Sequence, residues 1–138
     1  MNFLKITLPL LAACAIQAHA APAAIPNPLS VHVLDLQTGA PGTDIDVTLE
    51  QQDGDQWRQL ATGKTNDAGR IPALFPVDRK LSAGTYRIVF RTGEHYRRLG
   101  KPAFFPRIPV EFTVDEVTRH YHIPLLLSQF GYSTYRGN

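Results

Sequence analysis

The chain has 138 residues, 43% of them hydrophobic, and this suits one compact domain with a core of its own. Its 14 basic and 12 acidic residues are scattered along the sequence and leave a formal net charge of +2. Because no single-sign patch results, neither nucleic acid nor an anionic membrane surface is an expected partner.

The first twenty residues have the pattern of a secretory signal peptide. Lys5 precedes an apolar stretch from Ile6 to Ile16, and the small-residue triplet Ala18-His19-Ala20 supplies a cleavage site. The apolar stretch is too short to span a bilayer as a permanent helix. We therefore expect residues 1–20 to direct export to the periplasm, with no membrane attachment after cleavage.

A lipoprotein signal is the alternative for the same segment. Leu11-Ala12-Ala13-Cys14 resembles a lipobox, in which Cys14 would carry the lipid. Cleavage after Ala20 instead removes the single cysteine, so the core or an oligomer must stabilise the exported protein without disulfides. We expect residues 21–28 to be a flexible lead-in and residues 29–138 to form the domain.

Period-two alternation of apolar and polar residues predicts half-buried strands along most of that domain. The clearest runs are Ile45–Leu49, Tyr86–Phe90 and Ile108–Val114. Asp53-Gly54 predicts a hairpin turn and Asn66–Gly69 a second turn. Only Glu94–Leu99, closed by Gly100, has helical character. Seven or eight short strands with one short helix predict an antiparallel β-sandwich.

Three histidines fall on predicted strand faces beside apolar residues. His32 lies within LSVHVLDL, on the face opposite the valines, and His120 and His122 share one face of the segment HYHIPLLL. Ser133 and Tyr135 share a face of the final segment. Each of these histidines alone is best interpreted as an ordinary strand residue, and two on one face of a strand weaken that interpretation.

A metal site is one interpretation of these histidines. His-x-His on a strand places two imidazoles about 7 Å apart on one side, and His32 could complete a zinc site from a neighbouring strand. No acidic residue follows in a recognised metal motif, so a bound metal is not expected. Serine nucleophile chemistry is not expected either, because Ser133 lies in no nucleophile-elbow motif.

Three motifs resemble those of the 5-hydroxyisourate hydrolases, the enzyme branch of the transthyretin-like family. They are LSVHVLDLQTGAPG, the Gly69–Ile71 segment and HYHIPLLLSQFGYSTYRGN. The hallmark of that family is a final Tyr-Arg-Gly-Ser, and this sequence has Tyr135-Arg136-Gly137-Asn138. Asn138 in place of serine, and Gln129 where proline is common, are departures that leave the histidines untouched.

The resemblance implies a transthyretin-type sandwich of two four-stranded sheets, assembled as a homotetramer. Active sites would lie in its central channel, at the dimer–dimer interface. The implied reaction adds water to a ring carbonyl of 5-hydroxyisourate, a product of urate oxidation, and yields 2-oxo-4-hydroxy-4-carboxy-5-ureidoimidazoline. This small molecule is the expected substrate, and no cofactor is required.

The resemblance implies that the family's catalytic histidines match His32 and His122, its active-site arginine Arg70, and its catalytic C-terminal motif Tyr135-Arg136-Gly137. His122 would take the proton from water, assisted by His32, because the unperturbed histidine pKa suits a base near neutral pH. Arg70 would stabilise the oxyanion and hold the ureide edge of the substrate. Tyr135 would close the pocket and donate from its hydroxyl, and Ser133 would add a second hydroxyl.

Arg70 and His120 each have a weaker interpretation. Without the resemblance, Arg70 would be a solvated turn residue after Gly69, and His120 is given only a supporting or solvated role.

The alternative function is a non-catalytic periplasmic protein that binds a small ligand in the same channel. The thyroid-hormone carrier transthyretin lacks these histidines and the Tyr-Arg-Gly ending, so their presence favours the enzyme.

Overall fold

The computed structural model describes residues 26–138, and the predicted signal peptide and most of the lead-in lie outside this range. The elements in chain order are β1 (Leu29–Asp35), β2 (Asp46–Asp53), β3 (Gln56–Lys64), β4 (Arg70–Ile71), β5 (Gly84–Phe90), α1 (Thr92–Arg98), β6 (Ile108–Val114), β7 (Tyr121–Leu127) and β8 (Tyr132–Thr134).

These strands form two four-stranded sheets, which confirms the predicted sandwich. The first sheet has the order β4-β1-β7-β8 and the second the order β3-β2-β5-β6. We call the first the histidine sheet, because it carries His32 and His122.

One pairing differs from the expected antiparallel pattern, since β1 and β7 run parallel, with Leu29 opposite Tyr121 and Asp35 opposite Leu127. Most of the domain separates these two strands, so no hairpin forces them to be antiparallel.

The core lies between the sheets and is built from the apolar side of each alternating strand. In the histidine sheet, Val31 and Val33 of β1 and Leu125 of β7 are fully buried, and Ile123 of β7 is nearly so. A strand shifted by one residue would turn these side chains to solvent, so burial fixes the register. The residues between them, including His32, must therefore point to the outer face.

The two predicted turns are present, and each uses a glycine with positive φ. Gly54 (φ +61°) closes the β2–β3 hairpin. Gly69 (φ +70°) donates its N–H to the carbonyl of Asn66 at 2.8 Å. A Cβ on Gly69 would stand 2.5 Å from the Val33 carbonyl oxygen, so this turn packs tightly on β1. The turn delivers the next residue, Arg70, directly to the edge of the histidine sheet.

The helix begins at Thr92, two residues before the predicted start, and ends at Arg98. The hydroxyl of Thr92 donates to the carbonyl of Phe105 at 2.6 Å and anchors the first turn. Gly100, with φ +67°, closes the helix as expected. Within residues 26–138, no helix has the length and apolar character needed to cross a bilayer.

Candidate active site

Strand pairing brings Arg70 to His32. In the antiparallel β1–β4 pair, His32 lies directly opposite Arg70. The burial of Val31 and Val33 already directs His32 to the outer face, so the arginine stands beside the imidazole on that face. Arg70 is therefore a residue of a paired strand and not of a solvated turn.

The parallel β1–β7 pair brings the second histidine to the same face. His122 lies opposite Ser30, and His32 lies opposite Pro124. The ring centroids of His32 and His122 are 6.4 Å apart, with an angle of 34° between the ring planes. The histidine sheet therefore groups His32, Arg70 and His122 on one surface.

This grouping lowers the pKa of both histidines. Burial lowers the pKa of His122 below its ordinary 6.5, and the positive charges of Arg70, His32 and His120 act in the same direction. Burial and the charge of Arg70 also lower the pKa of His32, and a hydrogen bond to the Ala68 carbonyl opposes them with a smaller effect. Both imidazoles are consequently neutral at neutral pH, the state in which histidine accepts a proton.

Ser30 is a contact of the site that the sequence analysis missed. Its Oγ lies 2.8 Å from Nε2 of His120 and 2.8 Å from Nδ1 of His122. The other ring nitrogen of His120, Nδ1, lies 2.8 Å from the backbone carbonyl of Asn27. His120 is exposed but bonded at both nitrogens, which fits the supporting role.

The final residues of the sequence continue along the same face. Ser133 pairs with Leu126, and a bridge between Gly137 and His122 keeps this register. The N–H of Gly137 donates to the carbonyl of His122 at 2.9 Å. A Cβ on Gly137 would stand 2.3 Å from Cδ2 of His122, so only glycine fits against this ring. The Tyr-Arg-Gly motif thus contacts the histidine through its glycine.

The remaining two predicted site residues, Ser133 and Tyr135, are not among the hydrogen-bond partners of His120 and His122 within residues 26–138. Ser133 is exposed, and Tyr135 is 58% exposed and makes no side-chain hydrogen bond within residues 26–138. Tyr135 helps to line a cavity of about 340 Å³ at the sandwich edge that includes Phe112 and Tyr121. In a single chain, the site is therefore an open surface.

Residues 26–138 show no cluster of three or more His, Cys, Asp or Glu side chains suited to a metal ion. Two of the three histidines considered above, His120 and His122, direct a ring nitrogen at the Ser30 hydroxyl. The polar atoms of the site are thus organised by hydrogen bonds.

Comparisons with known proteins agree with this architecture. Residues 29–137 match the sequence model of the HIUase/Transthyretin family. The chain is 51% identical over 112 residues to the 5-hydroxyisourate hydrolase of Salmonella dublin, covering 81% of this chain and 82% of that protein. The structure of Klebsiella pneumoniae 5-hydroxyisourate hydrolase superposes with a TM-score of 0.71 at 37% identity, covering 81% of this chain and 99% of that one.

A transthyretin structure is equally similar in fold. Transthyretin from Sparus aurata gives a TM-score of 0.73 at 34% identity, over 80% of this chain and 96% of that one. A fold shared by proteins with such different names does not by itself assign a function, which must come from the site. On the family match and the extent of these identities, the chain belongs to the HIUase/Transthyretin family.

Proposed function

We propose that this protein hydrolyses 5-hydroxyisourate to 2-oxo-4-hydroxy-4-carboxy-5-ureidoimidazoline. The observation that carries the proposal is the grouping of His32, Arg70 and His122 on one sheet face, with both histidine pKa values lowered. The 51% identity with a protein named 5-hydroxyisourate hydrolase supports the substrate. A neutral base beside a fixed cation suits the addition of water to a carbonyl.

The mechanism begins with water activation. His122 takes a proton from a water molecule as the water oxygen bonds to the ring carbonyl carbon. The ring C–N bond then breaks, and the protonated histidine returns its proton to the departing nitrogen. His32, whose ring centroid is 6.4 Å from that of His122, is close enough to orient the same water or substrate.

Arg70 stabilises the negative charge that develops on the carbonyl oxygen. Its guanidinium stays protonated at all relevant pH values and offers several N–H donors in one plane, which match the ureide edge of the substrate. The same charge lowers the pKa of His122 and keeps this base neutral. Tyr135 and Ser133 follow the face on which the substrate would lie and would close over it.

A direct assay tests the proposal. We expect the purified protein to accelerate the decay of freshly generated 5-hydroxyisourate, followed by ultraviolet absorbance, well above the spontaneous rate. The His122→Ala variant is the matched control for protein-independent decay. An unchanged decay rate with the wild-type protein would rule out the enzyme and leave a ligand-binding role in the same channel.

The lowered histidine pKa predicts the pH dependence of the rate. Burial and the charge of Arg70 disfavour the imidazolium form of His122, so the base stays neutral below pH 6.5. We therefore expect kcat/KM to be constant near neutral pH and to fall only as pH drops through a midpoint below 6.5. A midpoint above 6.5, measured at constant ionic strength, would contradict this environment for His122.

We further propose that an exported tetramer is the active form. The outer face of the histidine sheet carries Leu34 and Leu126, half-buried, and Leu36, 52% exposed, and a partner subunit would cover these apolar side chains. Intact mass is expected to match a chain that begins at Ala21, and the solution mass to be about four times larger. A lipid-modified Cys14, or a stable and active monomer, would contradict the respective part of this proposal.

A further inference from the structure

A chain of three hydrogen bonds leads from the backbone to His122. The carbonyl oxygen of Asn27 lies 2.8 Å from Nδ1 of His120. Nε2 of His120 lies 2.8 Å from Oγ of Ser30, which lies 2.8 Å from Nδ1 of His122. We call this chain the Ser30 relay.

The fold holds both ends of the Ser30 relay in place. The side chain of Asn27 donates to the Phe75 carbonyl at 2.7 Å and accepts from the backbone N–H groups of Leu29 and Phe75, each at 3.1 Å. At the other end, Ser30 and His122 are direct partners in the β1–β7 pair. The geometry of the relay is thus set by the backbone.

The proton on each atom of the relay follows from which groups can donate. A backbone carbonyl only accepts, so Nδ1 of His120 must carry a hydrogen. In a neutral imidazole the other nitrogen then has none, so Nε2 of His120 accepts from the Ser30 hydroxyl. Because that hydroxyl has only one hydrogen, Ser30 must accept from His122. Nδ1 of His122 therefore carries the hydrogen, and its Nε2 is left with a free lone pair.

We propose that Ser30 and His120 are positioning residues that hold His122 in the tautomer with its basic nitrogen at Nε2. This inference rests on the proposed function, because the tautomer affects the rate only if His122 is the base. Nε2 is the ring nitrogen not directed at Ser30, and it is the one available to a water molecule on the open face. The opposite tautomer would present an N–H there and could not take a proton.

Three substitutions separate this role from simple packing. Ser30→Ala and His120→Ala break the relay at different points, and each should lower kcat about tenfold, as loss of an orienting partner does for other functional histidines. KM should change by less than about twofold, since neither residue holds the substrate. His120→Gln should recover most of the rate, because a carboxamide also offers one donor and one acceptor.

Nitrogen NMR of ¹⁵N-histidine-labelled full-length protein reads the tautomer directly, with no need for turnover. At a pH where His122 is neutral, we expect its Nδ1 to be protonated and its Nε2 unprotonated in the wild-type protein. Ser30→Ala and His120→Ala should shift the population towards the Nε2–H form. Ser82→Ala removes a serine hydroxyl that bonds Gln51 and Tyr86 on the other sheet, and should change neither kcat nor the His122 tautomer.

The two readouts distinguish failure of this inference from failure of the proposed function. An active wild-type protein with His122 in the Nε2–H form would overturn the inference alone. Folded Ser30→Ala and His120→Ala variants with wild-type kcat and unchanged His122 signals would do the same. An inactive wild-type protein with the expected Nδ1–H signal would instead refute the proposed function and leave the tautomer assignment standing.

Discussion

Replacing His122 with alanine or asparagine is expected to lower the rate of 5-hydroxyisourate hydrolysis by roughly 10²–10⁴-fold, the usual range for a lost general base. Neither side chain can accept a proton from water near neutral pH. Arg70 and His32 remain in both variants and account for the residual rate. The measurement is kcat and KM from the ultraviolet decay of the substrate.

Two controls are needed before a rate loss in the His122 variants is assigned to the loss of the base. Circular dichroism and solution mass must show that each variant keeps its fold and assembly, so that lost structure is not mistaken for lost chemistry. His120→Ala is the matched histidine substitution two residues away on the same strand face, and its smaller expected loss tests whether the two histidines differ in role. A folded His122 variant with the solution mass of the wild-type protein and a near-normal rate would move the base to His32.

Side-chain alternation was enough to predict which way the site residues point. Each alternating strand buries its apolar side chains in the core between the sheets. Val31 and Val33, the neighbours of His32, are examples. The polar residues between them are therefore directed to the opposite face. Alternation also predicted β5 and β6, and turn-forming residues predicted the two glycine turns, because both kinds of signal are local in sequence.

Strand partners were harder to predict, because alternation carries no information about which strand lies beside which. The parallel β1–β7 pair joins residues 92 positions apart, and the alignment of Ser30 with His122 depends on it. Arg70 is a similar case, since β4 is only two residues long and has no alternation of its own. The resemblance to a known family selected Arg70, and the β1–β4 register supplies the physical reason for its place beside His32.

Ser133 and Tyr135 differ from the other site residues, because side-chain alternation and family resemblance predicted their face but not their contacts. Alternation placed Ser133 and Tyr135 on one face, and the bridge between His122 and Gly137 agrees with that placement. The side chain of Tyr135 is 58% exposed, so its proposed contact with substrate stays a prediction. Alternation within one chain carries no information about contacts with another subunit, so it could not test the proposed assembly.

Removal of residues 135–138 is expected to lower the rate at least about 10²-fold while leaving a folded sandwich. The truncation deletes Tyr135 and the Gly137 N–H that bonds the His122 carbonyl, so the residue that carries the base loses a backbone hydrogen bond. Small displacements of a catalytic group have costs of this size. The fold should survive, because the deleted residues are exposed or half-buried and lie outside the core.

A single methyl group tests whether that loss arises from contact with His122. The Cβ introduced by Gly137→Ala would stand 2.3 Å from Cδ2 and 3.2 Å from Cβ of His122, so either the ring or the tail must move. We expect a rate loss of about tenfold or more at full chain length. Gly131→Ala is the matched control, because its nearest neighbour, Oγ of Ser128, is 3.8 Å away and tolerates a methyl group. Equal rates for the two folded variants would show that Gly137 does not position the base, and the effect of truncation would then belong to Tyr135.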